Sequence, residues 1–325
     1  MDIALIVLII LALAFDLLNG IHDSSNIVAT MISSRALSPM ATLTITALAH
    51  FFGPFIFGVA VAKTIGDEIV ISGSISVGMI IAALIAAILW NLLTWWLGMP
   101  SSSSHALIGG LLGAVATGAG WQVIKFGGIE KILLALFVSP IIGFVGGWLI
   151  TKIIYLLCWN SSPKVNWVFK KTQIITSIAL ALSHGTNDAQ KTMGIITLAL
   201  VSFHALPTFE VPFWVILGCA LTMGLGTMAG GWRNIRTMGN KMIKLKPVHG
   251  FAAETSAAVV ILGASHFGIP ISTTHIISTA IMGVGSTRGL HALKWGIVGN
   301  IVMAWVLTIP TCMLIAAVLY RILPF

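Results

Sequence analysis

Asp23 and Asp188 are carboxylates set in apolar sequence, and they are the residues of this chain best placed to do chemistry. Each closes a four-residue unit, Gly20-Ile21-His22-Asp23 and Gly185-Thr186-Asn187-Asp188, and the two units stand 165 positions apart. A charged carboxylate at the centre of a membrane helix costs about 2.5 to 3.5 kcal/mol on insertion scales, so each acid needs a partner or a task. Asn19, Asn26, Ser183 and Asn187 place side-chain oxygens beside the acids, and the glycines are expected to weaken the helix and release backbone carbonyls. Such oxygens suit a small hard cation such as sodium, while a protonatable carboxylate would carry a proton instead. A polar contact between packed helices explains a single such Asp; it explains a duplicated pair less well.

A second pair of motifs follows in the same order. Gly98-Met99-Pro100-Ser101-Ser102-Ser103-Ser104-His105 returns as Gly268-Ile269-Pro270-Ile271-Ser272-Thr273-Thr274-His275, offset by 170 positions. Each run opens a helix after a proline. It therefore offers hydroxyl donors, unpaired N–H groups and the positive end of a helix dipole, which together favour an anion. Ser and Thr are also ordinary N-caps and close-packing residues, so one run alone decides little. Two at matching positions point to donors converging on an oxyanion, with Ser101, Ser102, Ser103, Ser104, Ser272, Thr273 and Thr274 as the binding set. His105 and His275 join that set as donors, although a structural hydrogen bond suits each equally well.

The elements that must carry these motifs are membrane helices. Of 325 residues 58% are hydrophobic and 8% charged, which excludes an ordinary soluble domain. Ten apolar stretches, near 3–19, 39–62, 74–98, 103–119, 131–157, 172–203, 211–230, 249–267, 271–286 and 291–320, mostly approach the length that spans hydrocarbon. They fall five to each half. The expected organisation is a first repeat over 1–157, a cytoplasmic linker over 158–171 and a second repeat over 172–325. No Lys or Arg precedes the first stretch, so it is read as part of the fold and not as a cleaved leader. Cys158, Cys219 and Cys312 are scattered and suggest neither a disulfide framework nor a metal site.

Charge sets the expected orientation. Alternate threading puts Arg35, Lys152, Lys164, Lys170, Lys171, Arg233, Arg236, Lys241, Lys244, Lys246, Arg288 and Lys294 on one face, and only Lys63, Lys125, Lys131 and Arg321 on the other. The first face is then cytoplasmic and both termini lie outside. The net charge of +8 reads as this topology and as contact with anionic lipid, not as nucleic-acid binding. The joins at 99–102 and 268–271 are best explained by re-entrant hairpins whose tips reach the midplane. Each half then has three crossings and one hairpin, so the halves are inverted. The expected fold is an all-α polytopic membrane protein, an inverted-repeat secondary transporter with broken helices, two re-entrant hairpins and about 10 to 12 embedded segments.

An oxyanion cannot sit among bare carboxylates without a cation, and entry into a negative-inside cell costs about 2.3 kcal/mol per charge per 100 mV. A divalent anion therefore calls for at least two accompanying cations, and the two Asp motifs are natural places for them.

These motifs resemble the PiT family of inorganic phosphate transporters, in which Gly-x-x-Asp signatures occur in both halves. The resemblance covers nearly the whole chain, including Pro100 to His105, Ala181 to Lys191 and Pro270 to His275. It implies a multi-pass symporter in a bacterial plasma membrane that imports inorganic phosphate, with H+ or Na+ as the coupling ion. It implies that Asp23, Asn26 and Asp188 line the transport pathway, and on the oxygen chemistry above Asp23, Asn26, Asn187 and Asp188 are read as the coupling-cation set, with Asp23 and Asp188 the ligands if the ion is sodium. Asn19, His22, His184, Lys191 and Glu254 then belong to the transport pathway. No other cofactor and no enzymatic activity are expected, and a homodimer is left open.

Departures from the family pattern bear on coupling. His22 stands where many relatives carry Asn, and His50 where many carry Glu. Lys191 occupies the position of Asn26 in the other repeat, where it can neutralise Asp188, attract the anion or snorkel to the surface. Asp16 has no counterpart in the second half and is read chiefly as an internal hydrogen-bonding group. A sulfate or other tetrahedral-oxyanion carrier is the nearest rival. An anion channel would leave the paired acids without purpose. An intramembrane aspartyl protease would leave the donor tips unexplained.

Overall fold

The computed structural model describes residues 3–67, 69, 74–237 and 245–323. Lys241 and Lys244, counted above on the cytoplasmic face, lie outside these residues. Twelve α-helices occur among the described residues. They are α1 (Ile3–Ser33), α2 (Pro39–Phe57), α3 (Ala60–Asp67), α4 (Val77–Leu97), α5 (Ser103–Gly118), α6 (Phe126–Leu157), α7 (Val165–Ser202), α8 (Phe213–Ala229), α9 (Trp232–Arg236), α10 (Pro247–His266), α11 (Thr273–Ser286) and α12 (Trp295–Ile322).

Six of them, α1, α2, α4, α6, α10 and α12, are long and apolar enough to cross a membrane. The 38-residue α7 is not among them, because its middle carries the polar run from Ser183 to Thr192. Protein surrounds that run instead, since α7 packs against α1, α2, α3 and α10 and every residue from Ser183 to Leu200 is buried. The outermost helices are α6 and α12, whose apolar windows are only 28% buried, and they present Leu134, Phe137, Ile141, Val306 and Leu314 outward. Such an apolar exterior is what a bilayer solvates.

The duplicated motifs fall on equivalent helices, and those helices run in opposite directions. Asp16, midway along α1, meets Thr192 in the later part of α7, whereas Ser34, just past the end of α1, meets Gln173 near the start of α7. The repeats are therefore inverted. They also exchange partners, α5 packing on α12 of the second repeat while α11 packs on α6 of the first. Helix α7 starts at Val165, so helical structure begins inside the stretch read as a linker.

One expectation is overturned. Both α1 and α7 continue without interruption through Gly20 and Gly185, so neither Asp motif is a broken helix and no backbone carbonyl is released there. The glycines serve close helix approach. A Cβ on Gly20 would lie 2.5 Å from the Met223 carbonyl oxygen of α8, and one on Gly185 would lie 2.5 Å from His50 Cα of α2. The stretch read as 39–62 is divided at Gly58, between α2 and α3, and the interruptions that carry the duplicated Ser/Thr motifs lie between α4 and α5 and between α10 and α11. In each, a serine hydroxyl starts the second helix by accepting from the backbone N–H three residues on, Ser102 from His105 and Ser272 from His275, both at 3.3 Å.

Candidate functional site

The two hairpin tips meet at the middle of α1 and α7. Ser272 Oγ donates to Ser102 Oγ at 2.8 Å, and Ser104 Oγ donates to the Ile271 carbonyl at 3.3 Å. Around this junction the Asp motifs are held in near-mirror fashion. Ser103 Oγ donates to Asp23 Oδ2 at 3.1 Å, and its counterpart Thr273 donates to Asp188 Oδ2 at 3.0 Å. Thr274 Oγ1 crosses from the other repeat to Asp23 Oδ1 at 3.0 Å. All these side chains are buried.

Ligand atoms of Asp23, His184 and Asp188 lie within 4.8 Å of one another. At an effective dielectric of about 20, two negative charges at such a separation repel by about 3 kcal/mol. Opposing charge is supplied locally. Lys191, 1% exposed, forms an ion pair with Asp188 and also donates to Ser104 Oγ at 2.5 Å and to the Ile271 carbonyl at 3.0 Å. The snorkelling reading of Lys191 is thereby excluded. Near Asp23, Asn26 Nδ2 donates to Asp23 Oδ1 at 3.2 Å and to Thr274 Oγ1 at 3.1 Å. His22 donates through Nδ1 to Asp23 Oδ1 at 3.0 Å, while His184 Nε2 lies 3.4 Å from Asp188 Oδ2.

The remaining expected residues divide. Asn187 turns to Ser265 Oγ at 2.9 Å, and Asn19 is buried with neither side-chain atom hydrogen-bonded. Ser101 pairs with Thr94 Oγ1 at 2.8 Å. His105 and His275 pack ring against ring with centroids 4.4 Å apart, beside an apolar cavity lined by Leu136, Phe137, Val302 and Trp305. Glu254 sits in a pocket of its own, accepting from Thr30 at 2.6 Å, Thr176 at 2.7 Å and Gln173 at 2.9 Å. Asp16 accepts from Thr192 and Thr222, both at 2.9 Å, which fits the internal hydrogen-bonding role read for it.

Three residues near the site were not singled out from sequence. Trp305 of α12 donates to the Pro100 carbonyl at 3.1 Å while stacking on His275 at 3.9 Å, so it touches both hairpins. Thr94 contacts Ser101 and His22, and Ser265 holds Asn187. The offset between hairpins locates Ser265 opposite Trp95, and no repeat pattern marks any of the three.

Inverted repeats, hairpin tips converging at mid-helix and buried acids beside hydroxyl donors define a multi-pass membrane transporter. Residues 19–316 match the model of the phosphate transporter family, and the chain belongs to that family. A protein of Rhizobium meliloti named "Probable low-affinity inorganic phosphate transporter" is 46% identical over 318 residues, covering 97% of this chain and 95% of its own. One of the same name from Bacillus subtilis is 43% identical, with 99% of both chains covered. A solved structure described as "The sodium-dependent phosphate transporter" superposes with a TM-score of 0.92 at 26% identity, covering 99% of each chain. These relatives are transporters, so the protease reading falls.

Proposed function

We propose that this chain imports inorganic phosphate across a bacterial plasma membrane by cation-coupled alternating access. The observation that carries the reading is the convergence of both hairpin tips on both Asp motifs at one buried centre. Hydroxyls and helix N-termini of Ser101 to Ser104 and Ser272 to Thr274 receive the phosphate oxygens, exchanging their present contacts for the anion. Asp23, with Asn26 beside it, holds the coupling cation, so the charges of the two cargoes offset each other. Inversion of the repeats gives the protein two equivalent ways of opening, one to each side.

The hairpins re-enter from opposite faces, with both termini outside and the 1–157 and 172–325 repeats rocking about their junction. Support for short re-entrant arms comes from α5 and α11, 16 and 14 residues long, which reach about 24 and 21 Å against a hydrocarbon core of about 30 Å. The sodium-dependent neighbour supports sodium as the coupling ion, and the His22 contact with Asp23 favours a proton.

Purified protein in liposomes, offered labelled phosphate under a sodium gradient and separately under a proton gradient, tests the reading. Accumulation is expected under one of them, with little competition from excess sulfate. Failure under both, or accumulation of sulfate instead, refutes it.

A further inference from the structure

We propose that Lys191 is a built-in cation, its ammonium standing permanently where the second repeat would otherwise take a mobile coupling ion. The inference rests on the transport reading above and concerns how many ions that transport requires.

The repeat geometry identifies what Lys191 replaces. Asn26 and Lys191 are equivalent by the 165-residue offset, each lying three residues after the motif Asp. Their surroundings correspond as well: Asn26 reaches Asp23 and, in the opposite hairpin, Thr274, while Lys191 reaches Asp188 and, in the opposite hairpin, Ser104. Thr274 and Ser104 are themselves equivalent by the 170-residue offset.

The ligands of the ammonium are those a small cation would choose. A carboxylate oxygen of Asp188, the Ser104 hydroxyl and the Ile271 carbonyl surround Nζ, a set of hard oxygens drawn from a motif helix and both hairpins. Lys191 fills this set from within and is 1% exposed. In the first repeat the corresponding side chain is an amide, shorter and uncharged. Its oxygen, Asn26 Oδ1, is buried without any hydrogen-bond partner, beside the Asp23 carboxylate. An oxygen left unpaired inside a protein is costly unless something arrives to use it. An arriving ion can therefore use the first site by displacing the neutral donors now on Asp23, whereas at the second site Lys191 already supplies a tethered cation.

Two consequences follow. The wild-type protein moves one fewer cation per phosphate than a transporter with two open Asp sites, and it takes the monovalent phosphate ion, whose single charge one travelling cation offsets. Ser104, at the start of α5, also remains linked to α7 through Lys191 whether or not a coupling ion is bound.

The test is the number of coupling ions per phosphate, measured in proteoliposomes as the imposed ion gradient that just reverses phosphate flux. The wild type is expected to carry one cation, with uptake rising hyperbolically with its concentration. Lys191→Asn, which recreates the Asn26 arrangement, is expected to carry one more, with sigmoidal dependence. Lys191→Arg keeps the charge and the wild-type count. A wild-type count of two or more overturns the inference while leaving phosphate transport intact, and so does an active K191N with an unchanged count. If K191N is inactive, the wild-type count decides alone. Absence of phosphate transport in the wild type refutes the functional reading, and this inference with it.

Discussion

The Ser272 hydroxyl donates to the Ser102 hydroxyl across 2.8 Å, and through this contact the two hairpin tips touch. Each hydroxyl also caps its own helix, so neither serine is free to be replaced by a residue that merely fills space. Ser272→Ala removes the cap of α11 and the link between tips together. Phosphate affinity is expected to fall about tenfold, corresponding to about 1.4 kcal/mol. Initial uptake rates against phosphate concentration give the answer; an unchanged KM would show that the tips do not meet the anion.

Close helix approach at the motif glycines predicts intolerance of a single methyl. Gly20→Ala and Gly185→Ala push a Cβ into backbone atoms of α8 and α2, an overpacking that costs about 1 to 3 kcal/mol. Gly263→Ala meets nothing within 4 Å and serves as the control. Thermal unfolding in detergent should separate the first two variants from the third. Equal melting temperatures for all three would contradict the packing.

Glu254 satisfies three donors from two other helices. Glu254→Ala leaves the Gln173 amide without its carboxylate acceptor and returns the Thr30 and Thr176 hydroxyls to the Ile27 and Gln173 carbonyls of their own helices, a loss of about 2 kcal/mol. The apparent Tm is expected to drop by about 5 °C, and by less for Glu254→Gln, which keeps an acceptor. Indistinguishable Tm values for E254A and the wild type would remove this pocket from the forces holding α10 to α1 and α7.

Trp305 touches both hairpins, through the Pro100 carbonyl and the His275 ring. Trp305→Phe keeps a stacking ring and loses one hydrogen bond, worth about 1 kcal/mol. Phosphate uptake should fall about fivefold while the amount of folded protein is maintained. Full activity in W305F would mean that the indole N–H does not help hold the tip.

Cysteine chemistry reports the orientation. Cys219 and Cys312 are fully buried, and Cys158 is partly exposed where α6 ends. A membrane-impermeant maleimide is expected to label Cys158 alone, and only in inside-out vesicles. Labelling of Cys158 in right-side-out vesicles would reverse the assigned topology.

Much of this architecture was legible because duplication and apolar length are properties of the chain itself. The repeated Gly-x-x-Asp and Pro-x-Ser/Thr runs mark which helices are equivalent, and alternate threading of the apolar stretches leads to the expectation of inversion, with which the antiparallel α1 and α7 agree. That the tips and the carboxylates share one cavity is expected from the sequence, whereas the direct hydrogen bonds between them are not, since the hydroxyls read there as donors to an anion.

Tertiary structure decided what the same residue types do in place. Gly20 and Gly185 have a composition that suggests helix breaking, yet packing against α8 and α2 stabilises the helix through them and turns their missing side chains into contact. Lys191 could have reached the surface, the anion or Asp188, because a four-carbon stem permits all three. Only the converging oxygens of Asp188, Ser104 and Ile271, from three separate parts of the chain, fix it at one of them. Sequence settled which groups had to be buried in apolar surroundings, and the fold settled their partners, because those partners come from distant segments whose approach no local spacing encodes.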